Sequence, residues 1–276
     1  MAMHGRGLLA LILFLAGLGQ AAGAEVPDLY QARAVISGQS PERRALGFAL
    51  CLPDVLVKVS GDASLPEDPR VAEAAARAAD FISVFQMRDR LSGKPLHDEQ
   101  GSYDRPNDLT CDFDRAKIDG LLAELGRRPW LGERPVLGVL IAIRDMKDRE
   151  TLLSSDGTEM RDADMRTALA AAGEKIGLAP VLPPQAGLAE RGLDTVTLPA
   201  ANAAQLAPIA RPGEVALIGR LVWSDAALGW VADWRIDRDG QAVSWRISGV
   251  GFDDAFRNGI AGAAQVLSGN GAPRSR

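Results

Sequence analysis

The chain has 276 residues, 47% hydrophobic and 24% charged, with a formal net charge of −5. That length suffices for one large or two small domains with real cores, and the mixed, mildly acidic balance argues against a nucleic-acid-binding protein. Two cysteines without a Cys-x-x-Cys spacing exclude a thioredoxin-like redox motif.

At the start, Arg6 precedes an apolar run over residues 8–18, and Ala22-Gly23-Ala24 stands before Glu25. This is the layout of a secretory signal peptide over residues 1–24, cleaved after Ala24. The apolar run falls short of the roughly 20 residues that span a bilayer, and no later stretch approaches that length. No cysteine follows the small residues, so a lipoprotein is not expected. Cleavage removes one basic residue, Arg6, and leaves 30 Lys+Arg against 36 Asp+Glu, a net charge of −6. The predicted location is periplasmic.

Residues 29–36 read as a strand, and Ser40-Pro41 then supplies an N-cap and a first-turn proline. The helix that follows is apolar nearly all round beyond Ala45, so it is expected to be buried on most sides, with Pro53 kinking or interrupting it. Asp68-Pro69 starts a second helix, to about Ala79. Residues 81–89 and 108–113 look like strands joined by a polar connection over 91–107. Asp114 caps a helix with Ile118, Leu121, Leu122 and Leu125 at helical spacing and Gly126 at its end.

A second unit opens with the continuous apolar run 136–143, the pattern of a strand buried on both faces. Residues 146–161 read as a mobile connection to a helix capped by Asp162, apolar at Met165, Ala168, Leu169, Ala172 and Ile176 and stopped by Gly177. The prolines of residues 178–184 suit an edge strand. A helix is expected around 199–210, then three strands over 215–223, 230–236 and 242–248, and a last helix over about 253–267. The fold class predicted is α+β: two small α/β units, each a mixed or antiparallel sheet covered by helices, the second ending in a three-stranded meander plus a helix. Their bounds are 25–130 and 131–270, with 271–276 a disordered tail.

Asp239-Gly240 is a preferred two-residue hairpin turn, which places Trp234 opposite Trp245, Ile236 opposite Val243 and Ala232 opposite Ile247 on one face. Asp233 against Arg246 and Arg235 against Ser244 give the other face a solvent character. The last helix offers Phe252, Phe256, Ile260, Ala263 and Leu267 as a matching apolar stripe, with Gly259 and Gly262 leaving room for bulky indoles. Trp234 and Trp245 are therefore read as core, and Trp230, opposite Gly249, as a rim residue able to contact a ligand.

The segments LYQARAVISGQSPERRALGFALCLPDVLVKVSGD, FDRAKIDGLLAELGRRPWLGERPVLGVLIAI and LIGRLVWSDAALGWVADWRI, with the leader and the terminal helix, make the chain resemble the exported bacterial proteins grouped as domain of unknown function 2066. That resemblance implies an exported, periplasmic protein and carries over no functional residue.

No P-loop, nucleophile-elbow or HExxH motif occurs. After the leader His97 is the single histidine; His97-Asp98-Glu99 near Asp112 and Asp114 reads as a solvated loop in preference to a metal site. No cofactor and no metal are predicted. Cys51 and Cys111 would be allowed to pair in an oxidising compartment, but two separate core thiols are as consistent with their apolar settings. Ligands of open α/β sheets bind beyond strand C-termini, which makes Asp145, Asp148, Ser154, Ser155 and Asp156 the candidate polar site, weighed against a solvated connection with a turn at Asp156-Gly157. The functional expectation is a non-catalytic envelope accessory or interaction module with a protein partner in the cell envelope. The alternative is a periplasmic hydrolase or a glycan- or small-ligand-binding protein using the acidic residues of 145–156.

Overall fold

The structure, a computed structural model, describes residues 28–93, 104–201, 206, 214–238 and 240–276. The first unit is a three-stranded antiparallel sheet in the order β1-β3-β2, with β1 at Gln31–Ser37, β2 at Ile82–Asp89 and β3 at Pro106–Phe113. Helix α1 (Pro41–Ser60) packs along one face of this sheet. Ser40 accepts a hydrogen bond from the Arg43 amide at its start, and Gly61 ends it in the left-handed region at φ 77°. Gly47 lies so close to Leu109 and Ile36 that a side chain there would collide with both.

Pro53, expected to kink or interrupt α1, sits inside a helix that continues through it. The sheet and the surrounding elements bury every residue from Val55 to Ser60, and that packing outweighs the loss of one backbone hydrogen bond. Helix α2 is shorter than expected, covering Pro69–Ala75, and a separate 3₁₀ turn over Ala78–Phe81 leads into β2. Helix α3 (Arg115–Glu124) starts on the Asp114 cap, whose carboxylate accepts from the Lys117 amide.

The second sheet has six strands in the order β5-β4-β7-β8-β9, with β6 also on β4. Its members are β4 (Val136–Arg144), β5 (Glu150–Leu153), β6 (Pro180–Val181), β7 (Glu214–Ser224), β8 (Gly229–Arg238) and β9 (Gln241–Val250). β4 runs parallel to β6 and β7, and the other pairs are antiparallel. The fold class is thus mixed α+β, with the β7-β8-β9 meander followed by a closing helix, α6 (Phe252–Ser268). Within residues 146–161, read as a connection, β5 returns along β4. Helix α4 (Met160–Ile176) begins on Glu159 and not on Asp162, which lies buried in the first turn. The short α5 spans Gln185–Ala189. Of the helix expected around 199–210, a 3₁₀ turn at Leu198–Ala200 is described and most of the remainder lies outside the described residues.

β4 is buried on both faces. Leu137, Val139, Ile141 and Ile143 enter the main core beside α4 and α6, while Leu140 and Ala142 enter a smaller cluster with Leu188, Leu193 and Leu198. That main core also contains Leu52, Leu56, Leu109 and Leu122 from the first unit, so apolar packing runs continuously between the two sheets.

A polar joint reinforces this continuity. Asp62, fully buried just after α1, accepts from Arg127 Nε at 2.5 Å, Gln265 Nε2 of α6 at 2.8 Å and Ser64 Oγ at 2.7 Å. Asn270 donates to the carbonyls of Ser60 and Arg128, both at 2.8 Å. Arg134 lies over the Trp130 ring at 4.3 Å and donates to the carbonyls of Lys58 at 2.6 Å, Ile176 at 2.8 Å and Trp130 at 3.2 Å. One guanidinium therefore caps the ends of α1 and α4 together, and burial lowers its pKa to about 10.

Residues 272–276 run beside the outer edge of β9. The Arg276 amide donates to the Arg246 carbonyl at 2.9 Å, the Arg246 amide donates to Ser275 Oγ at 3.1 Å, and Arg274 and Arg276 both pair with Glu67.

Candidate functional site

Asp145 follows directly on β4 and is 8% exposed. One carboxylate oxygen accepts from the amides of Lys147 at 2.9 Å and Arg149 at 3.0 Å; the other accepts from Arg149 Nε at 2.8 Å and Arg161 Nη1 at 3.0 Å. Burial pushes its pKa up, but the bonds from Lys147 and Arg149 together prevail and hold it down to about 2. With both oxygens engaged, Asp145 fastens the β4-β5 turn and anchors Arg161. Asp148 stands exposed at the apex of that turn, in the left-handed region at φ 56°.

Ser154, Ser155 and Asp156 gather at the other end of β5. Asp156 accepts from the Gln185 amide at the start of α5 at 2.9 Å and from the Ser154 hydroxyl, and these bonds lower its pKa. The Ser155 amide donates to the Pro183 carbonyl at 3.0 Å. The five polar residues singled out in the sequence therefore form two clusters. Between them Arg161 bonds Asp145, Thr151 Oγ1 at 3.1 Å and Asp162 at 3.2 Å. Beside the second cluster is a cleft of about 500 Å³ whose lining includes Glu150, Ser154, Glu159, Asp162, Asp194 and Thr195. Four of these are acidic, and none is among the five named candidates, although Glu150 lies within the 145–156 stretch and Asp162 was expected only as a helix cap. Glu150 and Asp194 stand 44 positions apart, a separation that leaves no local signal. Among the described residues no group of three or more His, Cys, Asp or Glu side chains is arranged to hold a metal ion. His97, Asp98 and Glu99 lie outside the described residues; Asp112 accepts from Gln31 at 2.8 Å, and Asp114 is the α3 cap.

Trp234 pairs with Trp245 in the expected register, and both indoles are buried under α6. Gly259 abuts Trp234 and Gly262 abuts Trp245, while Gly219 of β7, not singled out from sequence, seats the far edge of the Trp234 ring. Trp230 departs from its rim placement. A register shift between Trp230 and Ala232 brings it opposite Val250 instead of Gly249, and it is 7% exposed against Trp223, edge to face at 5.8 Å between centroids.

Cys51 and Cys111 are both free thiols and both fully buried. They are neighbours: a hydrogen bond shared with Cys111, together with burial, raises the Cys51 thiol pKa.

The first sheet presents a different kind of surface. Leu109, Cys111 and Phe113 of β3 face α1, so the alternating residues lie on the opposite face. Three rows cross that face: Val35, Asp108 and Arg88; Arg33, Thr110 and Gln86; and Gln31, Asp112 and Val84. Val35 and Val84 are 49% and 55% exposed. Asp108 accepts from Arg88 at 3.0 Å and Arg90 at 2.6 Å, and Arg33 reaches Glu174 of α4 at 3.4 Å. Val35 lines an open depression of about 680 Å³ together with Gln86, Thr110 and three largely exposed guanidinium groups, and Val84 stands outside it on the same face.

A family profile described as "Domain of unknown function (DUF8605)" matches residues 23–131. This finding replaces the resemblance to domain of unknown function 2066. The repeated features behind that resemblance were core patterns and turns, which unrelated α+β chains share. The matched stretch takes in the β1-β3-β2 sheet, α1, α2 and α3. No curated protein and no solved structure matches the chain. Among the described residues no helix is long and apolar enough to cross a membrane.

Proposed function

We propose that this chain is an exported, non-catalytic interaction module of the bacterial cell envelope, which binds a protein partner through the open face of its β1-β3-β2 sheet. The observation that carries the reading is that face itself. Exposed Val35 and Val84 supply apolar contact, and Arg33, Arg88 and Arg90 stand on the same face with donors suited to carboxylates on a partner. The export part rests on the leader, residues 1–24, which lies outside the described residues. The polar connection over 91–107 falls mostly outside them as well. The Asp145 carboxylate, engaged by four donors, suits a structural fastening better than a general base.

Photo-cross-linking in cells tests this. A photoreactive residue in place of Val84 is expected to give one discrete adduct with an envelope protein, weakened by Arg88→Glu and absent when the probe replaces Val196, exposed in the second unit. Equal adducts at both positions, or none at Val84, would sink the proposal.

A second reading, a hydrolase or a glycan- or small-ligand-binding protein, is favoured by the acidic cleft beside Ser154. It requires ligand-dependent thermal stabilisation, lost in Asp162→Asn, or turnover of a peptidoglycan, lipid or phosphoester substrate.

A further inference from the structure

α1 follows β1 and turns back along it: Ile36, near the end of β1, lies by Gly47, while Lys58 Nζ donates at 2.7 Å to the carbonyl of Gln31, the first residue of β1. β3 is antiparallel to β1, so α1 and β3 run in the same sense. From the Gly47–Leu109 contact, four residues along the helix advance about 6 Å and two along the strand about 7 Å. Those steps end at Cys51 and Cys111. Both thiols are fully buried on facing surfaces, which fits their shared hydrogen bond.

We infer that Cys51 and Cys111 are joined by a disulfide in the exported protein, fastening α1 to the central strand of the first sheet. The inference rests on the export reading, because an oxidising compartment supplies the electron acceptor. That acceptor is a disulfide-bearing thiol oxidase. One cysteine attacks its disulfide as the thiolate, forming a mixed disulfide; the second displaces it, and the two thiols give up two protons and two electrons as the oxidase leaves as a dithiol. Full burial closes the folded pair to such a reagent, so the exchange precedes the docking of α1 on β3.

The test uses the full precursor, expressed with its leader, acid-quenched and alkylated with N-ethylmaleimide in denaturant before intact-mass measurement. The expected product starts at Glu25, weighs about 2 Da less than the dithiol and takes no maleimide until reduced. A chain processed at Ala24 that takes two maleimides before reduction overturns the disulfide and leaves export standing. A precursor retained with residues 1–24 overturns export. Refolding the chain with oxidised and reduced glutathione then decides the pairing alone, an intramolecular bond supporting it and persistent free thiols or mixed glutathione adducts refuting it. Closing a loop of about 60 residues should also raise the melting temperature by roughly 10 °C, a shift abolished by reductant and absent from the Cys51→Ala/Cys111→Ala double variant.

Discussion

Asp145 shows what a residue's neighbours decide. Its folded pKa of about 2 lies below the ordinary carboxylate value of 3.8. A depressed folded value contributes stability that is fully present above the unfolded pKa and is lost as pH falls through the folded one. The window is therefore about pH 4 down to about pH 2. Urea titrations across it should show the parent losing stability more steeply than Asp145→Asn, and the variant should already be weaker near about pH 6. Parallel curves would mean that Asp145 does not hold the turn. From sequence, Asp145 was legible as a polar residue after a buried strand. Its saturation was not, because Arg161, sixteen residues on, supplies one of the four donors.

At the scale of elements, the β8-β9 hairpin and α6 were the most legible part. A period-two pattern, a two-residue turn and a helical stripe each specify geometry on their own, and here they agree. Arg238 pairs with Gln241 across the turn, and Gly240 takes φ 77°. The pattern misled at the bulge near Trp230, because one extra residue shifts facing positions without changing the alternation that announces the strand. β5 escaped notice for another reason: Glu150–Leu153 is only four residues long and its first residue is exposed. Trp234→Ala should cost roughly 3–5 kcal/mol, since the indole fills space left by two glycines on different elements. Gly262→Val tests the same surface from the helix side, and crowding against Trp245 should cost about 1–3 kcal/mol in urea denaturation. If both variants unfold like the parent, the buried-indole account of this layer is wrong.

For the whole molecule, the two sheets are tied through shared apolar packing and through the ends of α1, α4 and α6. The apolar part was legible in the strand and helix patterns. The joint was not, because Arg127, Arg134, Gln265 and Asn270 have no spacing in common and meet only after folding. Arg134→Met should leave the end carbonyls of α1 and α4 without their donor and lower stability by about 3 kcal/mol. Arg134→Lys should restore little, since an ammonium cannot reach several carbonyls from one planar fork. Calorimetry should show one transition moving down in both variants, and an unchanged midpoint would remove the joint from the account.

The segment seated beside β9 bears on how the molecule keeps apart from copies of itself. A ten-residue strand at the margin of a sheet offers unpaired amides and carbonyls that can recruit another chain and seed cross-β growth. The outward backbone groups of Arg246, near the middle of that strand, are already taken by Ser275 and Arg276, and the Arg246 side chain is held sideways by Asp233 at 2.5 Å. A long margin is thereby divided into two short ones, each a poor template for aggregation at high protein concentration.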